Sequence, residues 1–86
     1  MITIELYGIP RLRAGAGRVG VEAATVAGAL AALAAAAPGL AGSVLAVGRV
    51  PPEYRLSLNG DRFISDPDTP LADGDVLLLL SADAGG

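Results

Sequence analysis

Five consecutive aliphatic residues, Val76-Leu77-Leu78-Leu79-Leu80, run without a break into the small and polar segment Ser81-Ala82-Asp83-Ala84-Gly85-Gly86. Side chains of a strand alternate between two faces, so covering a single core needs only every second residue to be apolar. Five in a row therefore demand a strand inside a sheet, with one alternate set beneath a helix and the other forming an apolar stripe on the far face. Leu77 and Leu79 make one set; Val76, Leu78 and Leu80 make the other.

The remaining pattern supplies the elements such a strand requires. Ile2, Ile4 and Leu6 alternate with Thr3, Glu5 and Tyr7, the period of a half-buried strand. Gly8-Ile9-Pro10 breaks it, Ala14-Gly15-Ala16-Gly17 reads as a flexible turn, and Arg18 to Glu22 alternates again, which predicts a hairpin. Thr25 is a good N-cap for a helix over residues 26–36, with Val26, Leu30, Leu33 and Ala37 at helical spacing. Gly28 weakens that helix by about 1 kcal/mol against Ala. Pro38 ends it, and Gly39 is suited to the left-handed conformation that often closes a helix. Leu40 to Pro52 shows no dominant period and reads as a loop or a short second helix. Tyr54, Leu56 and Leu58 alternate up to Asn59-Gly60, the dipeptide of a type I′ turn, and Arg62-Phe63-Ile64 is a short return strand. Residues 65–70 and Leu71 to Asp75 are turn clusters.

The order is strand, strand, helix, strand, short strand, strand. Parallel crossovers are right-handed, which lets the first and last strands pair centrally with one helix across one face. The expected fold is α+β and β-grasp, a mixed sheet of four or five strands with one main helix packed on one face. The domain is expected over residues 1–80, followed by a flexible tail over residues 81–86.

Composition narrows the function. An 86-residue chain that is 52% hydrophobic builds a single small core. It contains neither Cys nor His, which removes thiolate chemistry, disulfides, zinc sites and the commonest general base. Without His or Lys to activate a serine, no autonomous enzyme and no catalytic or metal-binding side chain is expected. Six arginines against nine acidic residues give a net charge of -3, which disfavours nucleic acid and favours a basic partner wherever charge guides docking. The alanine-rich run near the middle is too short to span a bilayer, which needs about 20 residues. No signal-peptide pattern opens the chain, so a cytoplasmic location is expected.

Several features together resemble one family. They are the opening strand followed by Pro10-Arg11-Leu12-Arg13, the helix introduced by Thr25-Val26 and closed by Pro38-Gly39-Leu40, the Asn59-Gly60 turn, the Pro70-Leu71-Ala72-Asp73-Gly74-Asp75 turn and the final Gly85-Gly86. The chain resembles the ubiquitin-like sulfur carriers of the molybdopterin-synthase small-subunit and thiamin sulfur-carrier superfamily. That resemblance implies that an E1-like activating enzyme uses ATP to adenylate the Gly86 carboxylate, and that a sulfur donor converts the adenylate to a thiocarboxylate. A larger catalytic subunit or another acceptor enzyme then takes the sulfur. It implies no bound cofactor, and a role in molybdenum cofactor biosynthesis ahead of thiamin or cysteine biosynthesis, protein modification or a plain interaction domain. Ser81-Ala82-Asp83-Ala84 departs from the prolines and apolar residue that often precede the diglycine in the molybdopterin-synthase branch.

The candidate site residues follow. Gly86 carries the chemistry, and Gly85 and Ala84 belong to the tail that threads into a partner. Leu78 and Leu80 are expected in the docking face. Arg11 lies in a region that resembles the family's partner-contacting loop. Phe63, the only Phe, reads first as a core filler and second as a partner contact. Asp66, Asp68, Asp73 and Asp75 read as turn formers, since their spacing lacks the ordered ligands of a calcium loop.

Overall fold

The computed structural model describes residues 1–40, 50 and 52–81. The alternating N-terminal residues form β1 (Ile2–Leu6), with Ile2, Ile4 and Leu6 buried and Thr3 and Glu5 half-exposed. The connection that follows is not the open turn its glycines predict, because Ile9–Ala14 forms a short helix, α1. Gly8 enters it at φ 67° and Pro10 stands in the first turn, where a missing N–H leaves no bond unmade. Gly15 closes it at φ 73°, its N–H donating to the Arg11 carbonyl at 3.0 Å. The residues that break the strand are also the ones that start and stop a helix. β2 (Arg18–Val21) then returns antiparallel to β1, from Glu5 opposite Arg18 to Ile2 opposite Val21.

α2 (Val26–Ala36) spans the predicted helix. The Thr25 hydroxyl accepts from the Gly28 N–H at 3.1 Å, and the Val26 and Ala27 amides donate to the carbonyls of Thr69 and Pro67 at 3.0 and 2.9 Å. The first-turn N–H groups, which have no partner inside a helix, are thus satisfied largely by the turn cluster that follows β4. Val26, Ala29, Leu30 and Leu33 are buried, and alanines cover the rest of the helix, so it lies close on the sheet. Ala37, before the proline, leaves the helical region at φ -132° and ψ 79°. A 3-10 helix over Pro38–Leu40 carries Leu40 into the core.

Gly39 corrects one expectation. It is absent from the glycines at positive φ, so it does not supply a left-handed cap. A Cβ there would instead overlap the carbonyl oxygen of Arg13, so the residue is a glycine to let the 3-10 helix touch the backbone of α1. The loop or short helix expected from Leu40 to Pro52 falls largely on residues 41–49 and 51, outside the described residues.

β3 (Tyr54–Leu58), β4 (Arg62–Phe63) and β5 (Val76–Ser81) complete a five-stranded sheet in the order β2-β1-β5-β3-β4. β1 and β5 are parallel and adjacent, from Thr3 opposite Val76 to Leu6 opposite Leu79. β3 runs antiparallel to β5, from Tyr54 opposite Ser81 to Leu58 opposite Leu77. Asn59 and Gly60 both hold positive φ, 57° and 72°, as a type I′ turn requires. This is the β-grasp fold. Its core joins Ile2, Ile4, Leu6, Leu30, Leu33, Leu40, Leu77 and Leu79, all at most 2% exposed. Each leucine contributes roughly 2 kcal/mol of apolar burial. Among the described residues no helix is long and apolar enough to cross a membrane.

Candidate partner interface

Strand register fixes which side chains share the face of the sheet opposite α2. Along β5, Leu77 and Leu79 are fully buried under the helix, while Val76, Leu78 and Leu80 stand half-buried on the other side. One row across this outer face reads Arg18, Glu5, Leu78, Ser57, Phe63, from β2 to β4. The next row toward the end of β5 pairs Leu80 with Arg55. Ser57, flanked by Leu78 and Phe63, is the one buried polar residue described.

Phe63 is not core. It is 67% exposed, and the Arg55 guanidinium lies 5.8 Å from its ring centre, within cation–π range. The reason is parity: Phe63 opposes Ser57, an outer-face position, and the next residue, Ile64, packs against the core instead. With only two residues on an edge strand, β4 gives a sequence reading too short a run from which to tell the faces apart.

The opposite margin of this face is polar. The Tyr7 hydroxyl donates to a Glu5 carboxylate oxygen at 2.6 Å, and an Arg18 nitrogen lies 3.6 Å from the other oxygen. The hydrogen bond to Glu5, reinforced by desolvation and the carboxylate's charge, raises the Tyr7 phenol above its ordinary pKa. Arg11 reaches this margin from α1, and a Cβ on Gly17 would come within 2.9 Å of its guanidinium carbon. Glu5, Tyr7, Arg11, Gly17 and Arg18 enclose a shallow notch of about 450 Å³. A larger groove of about 810 Å³ lies on the other flank, where Leu30, Tyr54, Leu56, Phe63 and Ile64 meet.

β5 brings the chain to Ser81, opposite Tyr54. The strand is one residue longer than its aliphatic run, and the Ser81 hydroxyl is buried with no hydrogen-bond partner among the described residues. Ala84, Gly85 and Gly86 lie outside the described residues. Of the predicted site residues, the structure therefore places Leu78, Leu80 and Phe63 on one face and Arg11 at its margin. Leu12, on α1, is 81% exposed between Arg11 and Arg13. Sequence reasoning passed over Leu12, Tyr7, Arg18 and Arg55. The strand period carried the signal for Tyr7, Arg18 and Arg55, which fall on outward positions. The signal for Leu12 required knowing that α1 is a helix.

No protein-family model and no curated protein matches the sequence. Solved structures do. SAMP1 from Haloferax volcanii is 30% identical over 99% of this chain and 98% of its own, with a TM-score of 0.80. The chain belongs to the ubiquitin-like sulfur carriers. A chain of the BexX/CysO complex of Amycolatopsis orientalis shares the fold at 22% identity, full coverage of both chains and a TM-score of 0.82. A chain of the complex of subunits 1 and 2 of molybdopterin-converting factor from Helicobacter pylori is 26% identical over 99% of this carrier and 97% of its own length, with a TM-score of 0.65.

Proposed function

We propose that the carboxylate of Gly86 is the working group of this carrier and that no side chain of the protein takes part in the chemistry. The observation that carries the reading is the placement of β5. The chain passes from a rigid central strand, hydrogen-bonded on both sides, straight into the segment that ends in Gly85-Gly86. A carboxylate is a poor electrophile until its oxygen joins a good leaving group. An activating enzyme would catalyse its attack on the α-phosphorus of ATP, releasing pyrophosphate and forming an acyl adenylate. A sulfur donor would then displace AMP and leave a thiocarboxylate. Two residues without side chains suit a narrow channel to the nucleotide.

We place the sulfur transfer in a molybdopterin-synthase-like heteromer, with a larger catalytic subunit receiving the end of the chain. The likeness to the Helicobacter pylori complex supports this form. Cysteine and thiamin biosynthesis are the other carrier routes. A second reading, covalent attachment of Gly86 to lysines of other proteins, is favoured by the likeness to a small archaeal modifier protein at 29% identity.

Intact mass spectrometry after incubation with ATP, an activating enzyme and a sulfur donor tests the chemistry. The expected product is heavier by the replacement of one oxygen by sulfur. Removing Gly86 should abolish it and leave the melting temperature unchanged. A truncated chain that still gains sulfur at its end overturns the proposal. Discharge of the thiocarboxylate by a molybdopterin-synthase large subunit, by a cysteine or thiazole synthase, or into lysine conjugates decides the destination.

A further inference from the structure

The charged side chains described are divided between the two ends of the molecule, and they are engaged to different degrees. The registers place the close of β1, the close of β5 and the start of β3 at the same end, where α1 also sits. Among the described residues this exit end carries Arg11, Arg13, Arg18 and Arg55 against Glu5 and Glu53. The far end holds Glu22, Asp61, Asp66, Asp68, Asp73 and Asp75 against Arg62. In a chain with a net charge of -3, the described side chains around the close of β5 thus have arginines in excess over carboxylates.

The far carboxylates have internal work. Asp66 accepts from the Asp68 N–H at 2.9 Å, and Asp75 accepts from the Ala72 N–H at 2.8 Å and the Asn59 amide at 3.2 Å. Asp73 pairs with the N-terminal ammonium, and Glu22 lies 3.5 Å from it. The exit arginines differ. Among the described residues Arg11, Arg13 and Arg55 have no ion pair, and Arg18 shares Glu5 with the Tyr7 hydroxyl. Arg11 and Arg13 also complement the C-terminus of α1, a sufficient structural reason for those two. Arg18 and Arg55 serve no helix end. They flank Leu78 and Leu80 on the outer face, one toward each margin of the sheet.

We infer that the exit end docks onto an acidic protein surface, with Arg11, Arg18 and Arg55 meeting carboxylates around an apolar patch that receives Leu78 and Leu80. This deepens the reading of the carrier as a partner-bound subunit and rests on it. The far end is less available for such a role, because Asp66 and Asp75 already accept within turns and Asp73 and Glu22 lie beside the N-terminal ammonium. Net charge would favour a basic partner, but steering acts through the local field at the face that docks. The arginines are exposed, so their effect falls on association and is screened by salt over about 10 Å at 0.1 M.

The test uses the intact chain and three probes: a hexaglutamate peptide, a hexalysine peptide and a short oligothymidylate. In a two-dimensional amide NMR titration at low salt, hexaglutamate should shift Tyr7, Arg11, Arg18, Arg55 and Leu80 while leaving residues 66–75 in place. Combining Arg11→Glu with Arg55→Glu should weaken that binding roughly tenfold or more, the low end of charge-steered effects, with the dispersed native spectrum retained and the melting temperature lowered only by the loss of a favourable charge at the end of α1. Leu80→Asp should lose part of the binding through its added charge, and Leu80→Ala almost none. Shifts spread over both ends, no saturable binding, or hexalysine binding at the exit end would overturn the inference. So would oligothymidylate binding more tightly than hexaglutamate at equal charge, which would assign the surface to nucleic acid. No activating enzyme is needed. Failure here leaves the Gly86 chemistry standing, and a chain that binds the peptide but never acquires sulfur fails the other reading alone.

Discussion

The sheet contains two antiparallel hairpins, closed in different ways. β3 and β4 are joined through Asn59 and Gly60, with the Asp61 N–H donating to the Leu58 carbonyl at 3.0 Å. Everything that turn needs is written in two adjacent residues that tolerate positive φ. β1 and β2 are joined by residues 7–17, which contain α1. A six-residue helix is far too short to persist alone, so it exists because of what it touches. Pro10 is buried, and the Arg13 carbonyl abuts Gly39 across the structure. One connection is specified locally and the other by tertiary contact, and a substitution at a distance should disturb only the second.

Gly39→Ala is the sharpest way to separate them, and the largest effect expected. Its Cβ would meet the Arg13 backbone carbonyl, which has no flexible end to swing away, so α1 or the 3-10 helix must shift. Urea denaturation should show a loss of about 2 to 3 kcal/mol, the cost of overpacking. Gly60→Ala has open space around it and should cost only about 1 to 2 kcal/mol for its positive φ. Equal losses would erase the distinction.

Asn59→Ala should come next. It places an alanine at φ 57° and removes two bonds, from the Val76 N–H at 2.8 Å and to the Asp75 carboxylate at 3.2 Å. A loss of about 2 kcal/mol is expected, of which Asn59→Gly should recover roughly half by relieving the backbone. If Asn59→Gly is no better than alanine, the side-chain bonds and not the dipeptide's backbone preference hold this hairpin. Gly15→Ala, at φ 73° with nothing nearby, should cost only about 1 kcal/mol, since α1 keeps its tertiary contacts.

The smallest effect concerns acid. Asp75 is held below the ordinary carboxylate value of 3.8, first by the Ala72 N–H and then by Asn59. A depressed folded-state pKa adds stability that is present above the unfolded value and is lost as pH falls through the folded one. Thermal melts of the wild type should therefore weaken as pH drops below about 4, and Asp75→Asn should flatten that limb. Asn59→Ala should flatten it partly, because it removes only the second cause.

The same division between local and tertiary information explains what the sequence revealed. The run Val76 to Leu80 disclosed its own placement, because no edge strand needs two apolar faces. The helix over Val26 to Ala36 disclosed both ends through Thr25 and Pro38. Gly39 disclosed only that something there required a glycine, and the requirement was a contact partner far away in sequence rather than a dihedral angle. Phe63 misled because hydrophobicity was weighed without a strand long enough to set its parity. The net charge is silent on placement for a related reason, since a sum over the chain does not show which end holds the arginines and which the carboxylates. For the site itself, Leu78 and Leu80 were legible from period two alone. Arg18 and Arg55 became candidates only once four strand registers placed them beside those leucines.

The position of β5 has a mechanical side. It pairs with β1 in parallel and with β3 in antiparallel sense, and the chain leaves directly from its end. Tension applied at the end of β5 along the strand axis stretches both ladders together. The bonds then resist as a group, whereas a strand peeled sideways from an edge would yield them one at a time. A load along this axis thus meets both ladders at once, and the elements exposed to peeling are the edge strands β2 and β4.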